Sequence, residues 1–226
     1  MVGDDSRTTD KVETTFPTQE NINAAINIYA KIESWQQADR IIASYFGQHP
    51  SSSEESTVVI KVVLVNSLYN TNIWKPLLMA KHILNLQNLD EQLQAGNMYA
   101  VDRIAKLATI SRNFISFASK YAHFSNMVAY PMYDKYVRIS MGRFLKRSNY
   151  TVDAYESFFS KIESIRRQAR LENVSWGDLD KYLWLYGQKV AREKGEVKIN
   201  SEVRKLYDTA DGRTLFKALE TSGCVY

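Results

Sequence analysis

The sequence is poor in the residues that cross-link or punctuate a fold. One cysteine, Cys224, stands among 226 residues, which excludes an internal disulfide, a thiolate zinc site and a cysteine-ligated iron–sulfur cluster within one chain. The histidines His49, His82 and His123 are scattered without metal-ligand spacing, so no metal and no other cofactor is expected. Only 9 glycines and 4 prolines interrupt the chain, and strand-like alternation is nearly absent. No apolar run approaches the roughly 20 residues that span a bilayer; the longest, 58–68, is broken by Lys61 and Asn66. Residues 1–15 are polar, carry acids and lack the apolar core of a secretory signal. The expectation is a cytoplasmic protein with no membrane partner.

What is present is helical pattern. Hydrophobic residues make up 45% of the chain, enough for a sizeable core. Three- and four-residue spacing recurs between 20 and 219, as in Ile22, Ile26 and Tyr29 or Ala38, Ile41, Ile42 and Tyr45. This predicts an all-α chain: a polar, disordered tail at 1–18 and a single compact domain of about ten helices at 19–226. Ser111 is expected to cap a helix running to Phe124, Pro131 to open one reaching about Leu145, and Thr151 with Asp153 to start a third. Ser175 with Asp178 forms a capping-box variant ahead of a helix ending near Arg192.

The formal net charge is +4, a mild basic excess that is compatible with nucleic acid without establishing it. Its distribution says more. Residues 135–147 hold Lys135, Arg138, Arg143, Lys146 and Arg147 and no acid, and a second cluster gathers Lys161, Arg166, Arg167 and Arg170. Two solvated helix faces and a phosphate-binding surface both fit this pattern.

The segment with the most chemistry runs from 106 to 147. An apolar helix ending in Ser119-Lys120-Tyr121-Ala122-His123-Phe124 is followed by a short loop and by Tyr130-Pro131-Met132-Tyr133-Asp134-Lys135-Tyr136. Asp134 is expected in the first turn of a basic helix, where the helix dipole, Lys135 and Arg138 favour its ionised form. Tyr130, Tyr133 and Tyr136 surround it in sequence. A fixed carboxylate among rings suits cleavage of an N-glycosidic bond. It stabilises the positive charge that builds on the sugar as the base departs and can orient the attacking water. The rings can stack on a flipped base, and the flanking cations can hold phosphates. An aspartate in a helix first turn can equally be no more than a favourable helix start.

Residues 106–147 resemble the helix–hairpin–helix and catalytic-aspartate segment of the DNA glycosylase superfamily, and the Ser-Lys-Tyr-x-His-Phe and Pro-x-Tyr-Asp wording is similar to bacterial relatives of the oxoguanine glycosylases. The resemblance implies a two-lobed helical bundle with the DNA and base cleft between the lobes, and Asp134 as the essential carboxylate. Tyr130 and Tyr133 would line the base pocket. The stretch from Val62 to Ile73 resembles the family's early apolar helix with its polar turn, which would make Asn66, Tyr69, Asn70 and Asn72 the duplex-probing wedge or else an ordinary Asn-rich turn. The run Leu179-Asp180-Lys181-Tyr182-Leu183-Trp184-Leu185-Tyr186-Gly187 resembles a C-terminal helix of the same relatives. Trp184 and Tyr186 in it would line the pocket or belong to the core.

Three departures shape the expectation. The hairpin position, 107–113, has neither glycine nor proline, so tight backbone approach to phosphate would pass to Ser111, Arg112 and Asn113 at a helix N-terminus. The nucleophilic lysine of bifunctional members has no counterpart at Ile115 or Ser116. Lys120 is the nearest substitute, either as a desolvated amine or as a lysine paired with Asp134. The implied activity is therefore that of a monofunctional glycosylase: a monomer that binds double-stranded DNA, hydrolyses a damaged or modified base from it and leaves an abasic site, in repair or in antiviral defence. Lys135, Arg138 and Arg143 would contact DNA. The alternative is a DNA-binding module of the same fold without chemistry.

Overall fold

The computed structural model describes residues 16–147, 150–196 and 198–220. Cys224 and residues 1–15 of the expected tail lie outside them. Among the described residues every regular element is a helix: α1 (Gln19–Tyr29), α2 (Glu33–Gln48), α3 (Glu55–Tyr69), α4 (Pro76–Leu84), α5 (Leu89–Gln94), α6 (Met98–Ala105), α7 (Ile115–Ser125), α8 (Lys135–Phe144), α9 (Tyr155–Gln168), α10 (Trp176–Glu193), α11 (Ser201–Tyr207) and α12 (Ala210–Lys217). The all-α expectation holds. No helix is long and apolar enough to cross a membrane among the described residues.

Short polar side chains set many of the helix starts, because the first amides of a helix have no partner within it. Thr18 and Asn21 form a reciprocal capping box on α1. Asn97, Asn200 and Thr209 cap α6, α11 and α12. Ser175 accepts from the Asp178 amide at the head of α10, as expected from the sequence. Phe16 packs against the core and Thr18 caps α1, so these two residues of the expected tail belong to the fold. Asn21 then donates through Nδ2 to the Ala218 and Glu220 carbonyls at 2.9 and 3.1 Å, tying the first helix to the last.

Other starts differ from the sequence reading. Ser111 caps nothing: α7 begins at Ile115 behind Phe114, because the Phe114 amide is committed to the Ala105 carbonyl and a Lys106–Asn113 bridge closes 106–113 into a loop. Neither Thr151 nor Asp153 heads α9, which follows Ala154. Pro131 does not open α8 either. It stands in a stretch without regular structure, held by the Tyr155 hydroxyl donating to its carbonyl at 2.6 Å, and the helix starts only after Asp134.

The helices sort into two groups by packing. In one, α3 packs on α2, α4 and α7, and α6 on α5, α7 and α9; in the other, α10 packs on α8 and α1, and α12 on α1 and α11. Gly187 is what lets α10 meet α8 so closely: a Cβ there would lie 2.1 Å from the Tyr136 carbonyl oxygen. The chain crosses between the groups at 126–134, where the candidate site lies.

Candidate functional site

Asp134 is the N-cap of α8, one position earlier than a first-turn residue. Its Oδ1 accepts from the Tyr136 and Val137 amides, both at 2.8 Å. This fixes the carboxylate at the positive end of the helix dipole and favours charge there. The run leading to it is clamped from α7. The Tyr133 amide donates to Ser119 Oγ at 3.0 Å, and Lys120 Nζ donates to the Tyr133 carbonyl at 3.0 Å.

Asp134 opens onto a cavity of about 280 Å³ between the two helix groups. Trp35, Asp39 and Arg40 enter it from α2, Tyr69 from α3, and His123 and Phe124 from α7. Tyr29 of α1 and Asp180, Lys181 and Trp184 of α10 close the other side. The walls are aromatic: Trp35 meets Trp184 at 4.8 Å between centroids and Tyr69 edge-on at 5.0 Å. Asp39 accepts from the hydroxyl of Tyr29 at 2.6 Å and from that of Tyr69, fastening α1, α2 and α3 together at the pocket wall. Burial and the Asp39 charge push both phenols well above their ordinary range, so both stay hydrogen-bond donors.

Lys120 lies behind this wall, 2% exposed. Its Nζ also donates to the Ser116 carbonyl and hydroxyl, each at 3.3 Å, and lies 5.5 Å from the Tyr69 ring centroid. Burial lowers its pKa while the charges of Asp134 and Asp180 raise it, and its three acceptors match the three donors of an ammonium group. Asp180 is displaced upward, well above the ordinary carboxylate range, by burial and then by the Asp134 charge. Its Oδ1 is buried with no hydrogen-bond partner. His123 Nδ1 faces the Tyr130 carbonyl at 2.7 Å, so that nitrogen carries the proton. Burial depresses its pKa, which leaves Nε2 of the neutral ring as an acceptor.

The structure brings Asp134, Tyr69 and Trp184 to one cavity and places Lys120 beside it. The other expected residues are elsewhere. Tyr130 is a buried strut whose hydroxyl donates to the Gln92 and Asn97 carbonyls. Tyr133 packs edge-on against Phe158, and Tyr186 stacks in the core against Phe144 and Tyr182. Asn66 organises the α3–α4 turn through Thr71 and Ile73. Asn70 and Asn72 supply its left-handed residues at φ 50° and 59°. That turn presents Trp74, 86% exposed. Arg112 donates to the Asn72 carbonyl and Asn113 to the Asp153 carbonyl, so the 106–113 loop is pinned on two sides, while Ser111 is exposed on it. Lys135 pairs with Glu196, Arg138 Nε donates to the Tyr150 carbonyl, and Arg143 is exposed at the far end of α8.

Sequence reasoning missed Asp39, Asp180, Tyr29, Trp35, Arg40 and His123. A signal existed for two of them. Asp39 follows Trp35 by four residues on the face that also carries Ala43, and Asp180 precedes Trp184 by four, just ahead of the buried run 182–191. An acid in step with the apolar side chains of a helix is a conspicuous misfit.

Among the described residues no group of acids, histidines or cysteines is arranged to hold a metal ion. Residues 21–129 match the family model HI_0787_N, described as an N-terminal domain. An uncharacterized protein of Haemophilus influenzae is 31% identical over 140 residues, which cover 59% of this chain and 67% of that protein. No solved structure matches the chain. With two thirds of that relative covered at this identity, the chain belongs to the HI_0787_N family.

Proposed function

We propose that this protein is a DNA glycosylase that releases a damaged or modified base by hydrolysis of the N-glycosidic bond. The observation that carries the reading is Asp134: a carboxylate pinned through one oxygen to the head of α8, in the wall of an aromatic cavity sized for a flat ring system. Bond cleavage leaves positive charge on C1′ and O4′ of the sugar, and a preorganised anion stabilises it without reorganisation. Trp35, Trp184 and Tyr69 offer faces and edges to an extruded base. The helix–loop–helix of α6, 106–114 and α7, pinned to the Asn72 turn, and the exposed Trp74 fit a duplex-facing edge. Trp74 would fill the space that the flipped nucleotide leaves.

Lys120 takes a positioning role in this reading. All three of its donors are used on Ser116 and Tyr133, so water rather than an amine attacks the sugar, and strand cleavage follows only after alkali. A role in repair or in antiviral defence depends on which base is released.

The test is base release from duplexes carrying oxidised, deaminated, alkylated or glucosylated bases. Asp134→Asn keeps a side-chain oxygen to cap α8, so the variant folds and binds DNA. It loses base release by two or more orders of magnitude, a scale usual for a charge-stabilising group. Full activity in that variant refutes the role of Asp134. Salt-sensitive DNA binding with no base release on any substrate favours the non-catalytic binding module.

A further inference from the structure

We propose that Asp180 is the proton donor to the departing base. The inference rests on the glycosylase reading and adds a second residue to it. Asp180 projects from α10 into the cavity wall that Asp134 shares from α8. Its Oδ1 is buried and meets no donor or acceptor, an arrangement that costs free energy unless a bound ligand completes it. Most other polar groups in and beside this cavity are engaged. Asp134 is held by two amides, Asp39 by two phenols, Lys120 by Ser116 and Tyr133, and Lys181 by Asp178. Among the described carboxyls of this cavity, Asp180 is the one whose unpartnered oxygen is buried.

Its surroundings divide labour between two acids. At α8 the amides of Tyr136 and Val137 fix Asp134 at the positive end of the helix dipole. On α10 burial and the Asp134 charge push the carboxyl toward its protonated form, with a smaller push from Asp39 on α2. Lys120 on α7 and Lys181 on α10 oppose this. The neutral His123 ring on α7 and the un-ionised phenols of Tyr29 and Tyr69 add no charge near neutral pH, and Arg40 at the rim is exposed to solvent. Acid and base roles at one site are usually divided by such differences in surroundings.

The step balances. The C1′–N bond breaks with its electron pair passing to the base, and Asp180 gives its proton to a ring nitrogen or carbonyl oxygen of that base. Asp134 stabilises the sugar cation, and water adds to C1′ and sheds a proton to Asp134. That proton returns to Asp180 through solvent as the base leaves.

The leaving group provides the test. A neutral base such as uracil or 8-oxoguanine needs a proton to leave well, whereas N7-methylguanine is already cationic. Asp180→Asn should lower release of a neutral base about a hundredfold, the scale of general acid catalysis, and lower release of N7-methylguanine far less. Wild-type release of the neutral base should fall as pH rises through the Asp180 titration, and the variant should lack that limb. Carboxyl-carbon NMR, with Asp180→Asn identifying the resonance, should show the group protonated at neutral pH. Equal losses on both leaving groups with an unchanged pH limb, or an ionised carboxyl at neutral pH, would overturn the proposal while base release by the wild type and its loss in Asp134→Asn leave the glycosylase reading intact. Absence of base release by the wild type on every duplex would instead overturn the glycosylase reading, and the role of Asp180 with it.

Discussion

Single residues in this chain are governed by what surrounds their charge. Asp134 and Asp180 share a cavity and a side-chain chemistry, yet one sits on a pair of amides and the other leaves a buried oxygen without a partner. Lys61 on α3 shows the same principle away from the site. It is fully buried, donates to the Pro50 and Ser51 carbonyls at 3.3 and 3.0 Å, and lies over the Phe46 ring. Burial lowers its pKa to about 8, against the pull of Asp90. The unfolded chain, with a lysine near 10.4, therefore binds more protons than the folded one above pH 8, and stability gains a contribution from Lys61 as pH rises from about 8 to about 9.5, below the range where unfolded tyrosines ionise. Denaturant midpoints measured across that window should climb in the wild type and climb less in Lys61→Met; equal slopes would show that the amine is hydrated in the folded state. Asp134 was legible in the sequence because Pro-x-Tyr-Asp is a local pattern. Asp39 and Asp180 were not, because the cavity they share assembles from helices more than a hundred residues apart.

At the scale of elements, helix existence was legible and helix starts were not always so. Periodicity reports where apolar faces repeat, and it located every long helix. The starts of α7, α8 and α9 depend instead on tertiary hydrogen bonds, such as Phe114 to Ala105 and Tyr155 to Pro131, which no local motif announces. The pairing of α8 with α10 matters most for the site, since it sets Asp134 against Asp180. Gly187 permits it, with no room for a Cβ against the Tyr136 backbone. Gly187→Ala should destabilise the fold by about 1–3 kcal/mol, the usual cost of overpacking. It should also reduce base release more than DNA binding, because α8 must shift outward with Asp134 at its head. Thermal melts and single-turnover assays on the same variant check this. A wild-type melting curve would mean that the helices cross elsewhere in solution.

The whole molecule places its cavity where two helix groups meet, a common location for ligand sites. The basic stretch of α8 attracted attention in the sequence, but Lys135 and Arg138 are engaged with Glu196 and Tyr150, and Arg143 lies about 13 Å along the axis from Asp134. Arg40, exposed at the rim, is better placed for a phosphate beside a flipped nucleotide. If DNA lies across the cavity, Arg40→Ala should weaken binding for all sequences and reduce the slope of log affinity against log salt by about one. Unchanged affinity at low salt would place the duplex on another face.

The contact between Trp35 and Trp184 also gives the molecule an optical gauge. These indoles come from helices of opposite groups, α2 and α10, and their ring centroids stand 4.8 Å apart at an interplanar angle of 49°. At that separation and tilt their excited states couple, so the pair should give a far-ultraviolet exciton signal that Trp74 and Trp176 do not. A base sliding between the two rings, or any parting of the helix groups, would extinguish that signal. Opening of the cleft can therefore be timed in unlabelled protein.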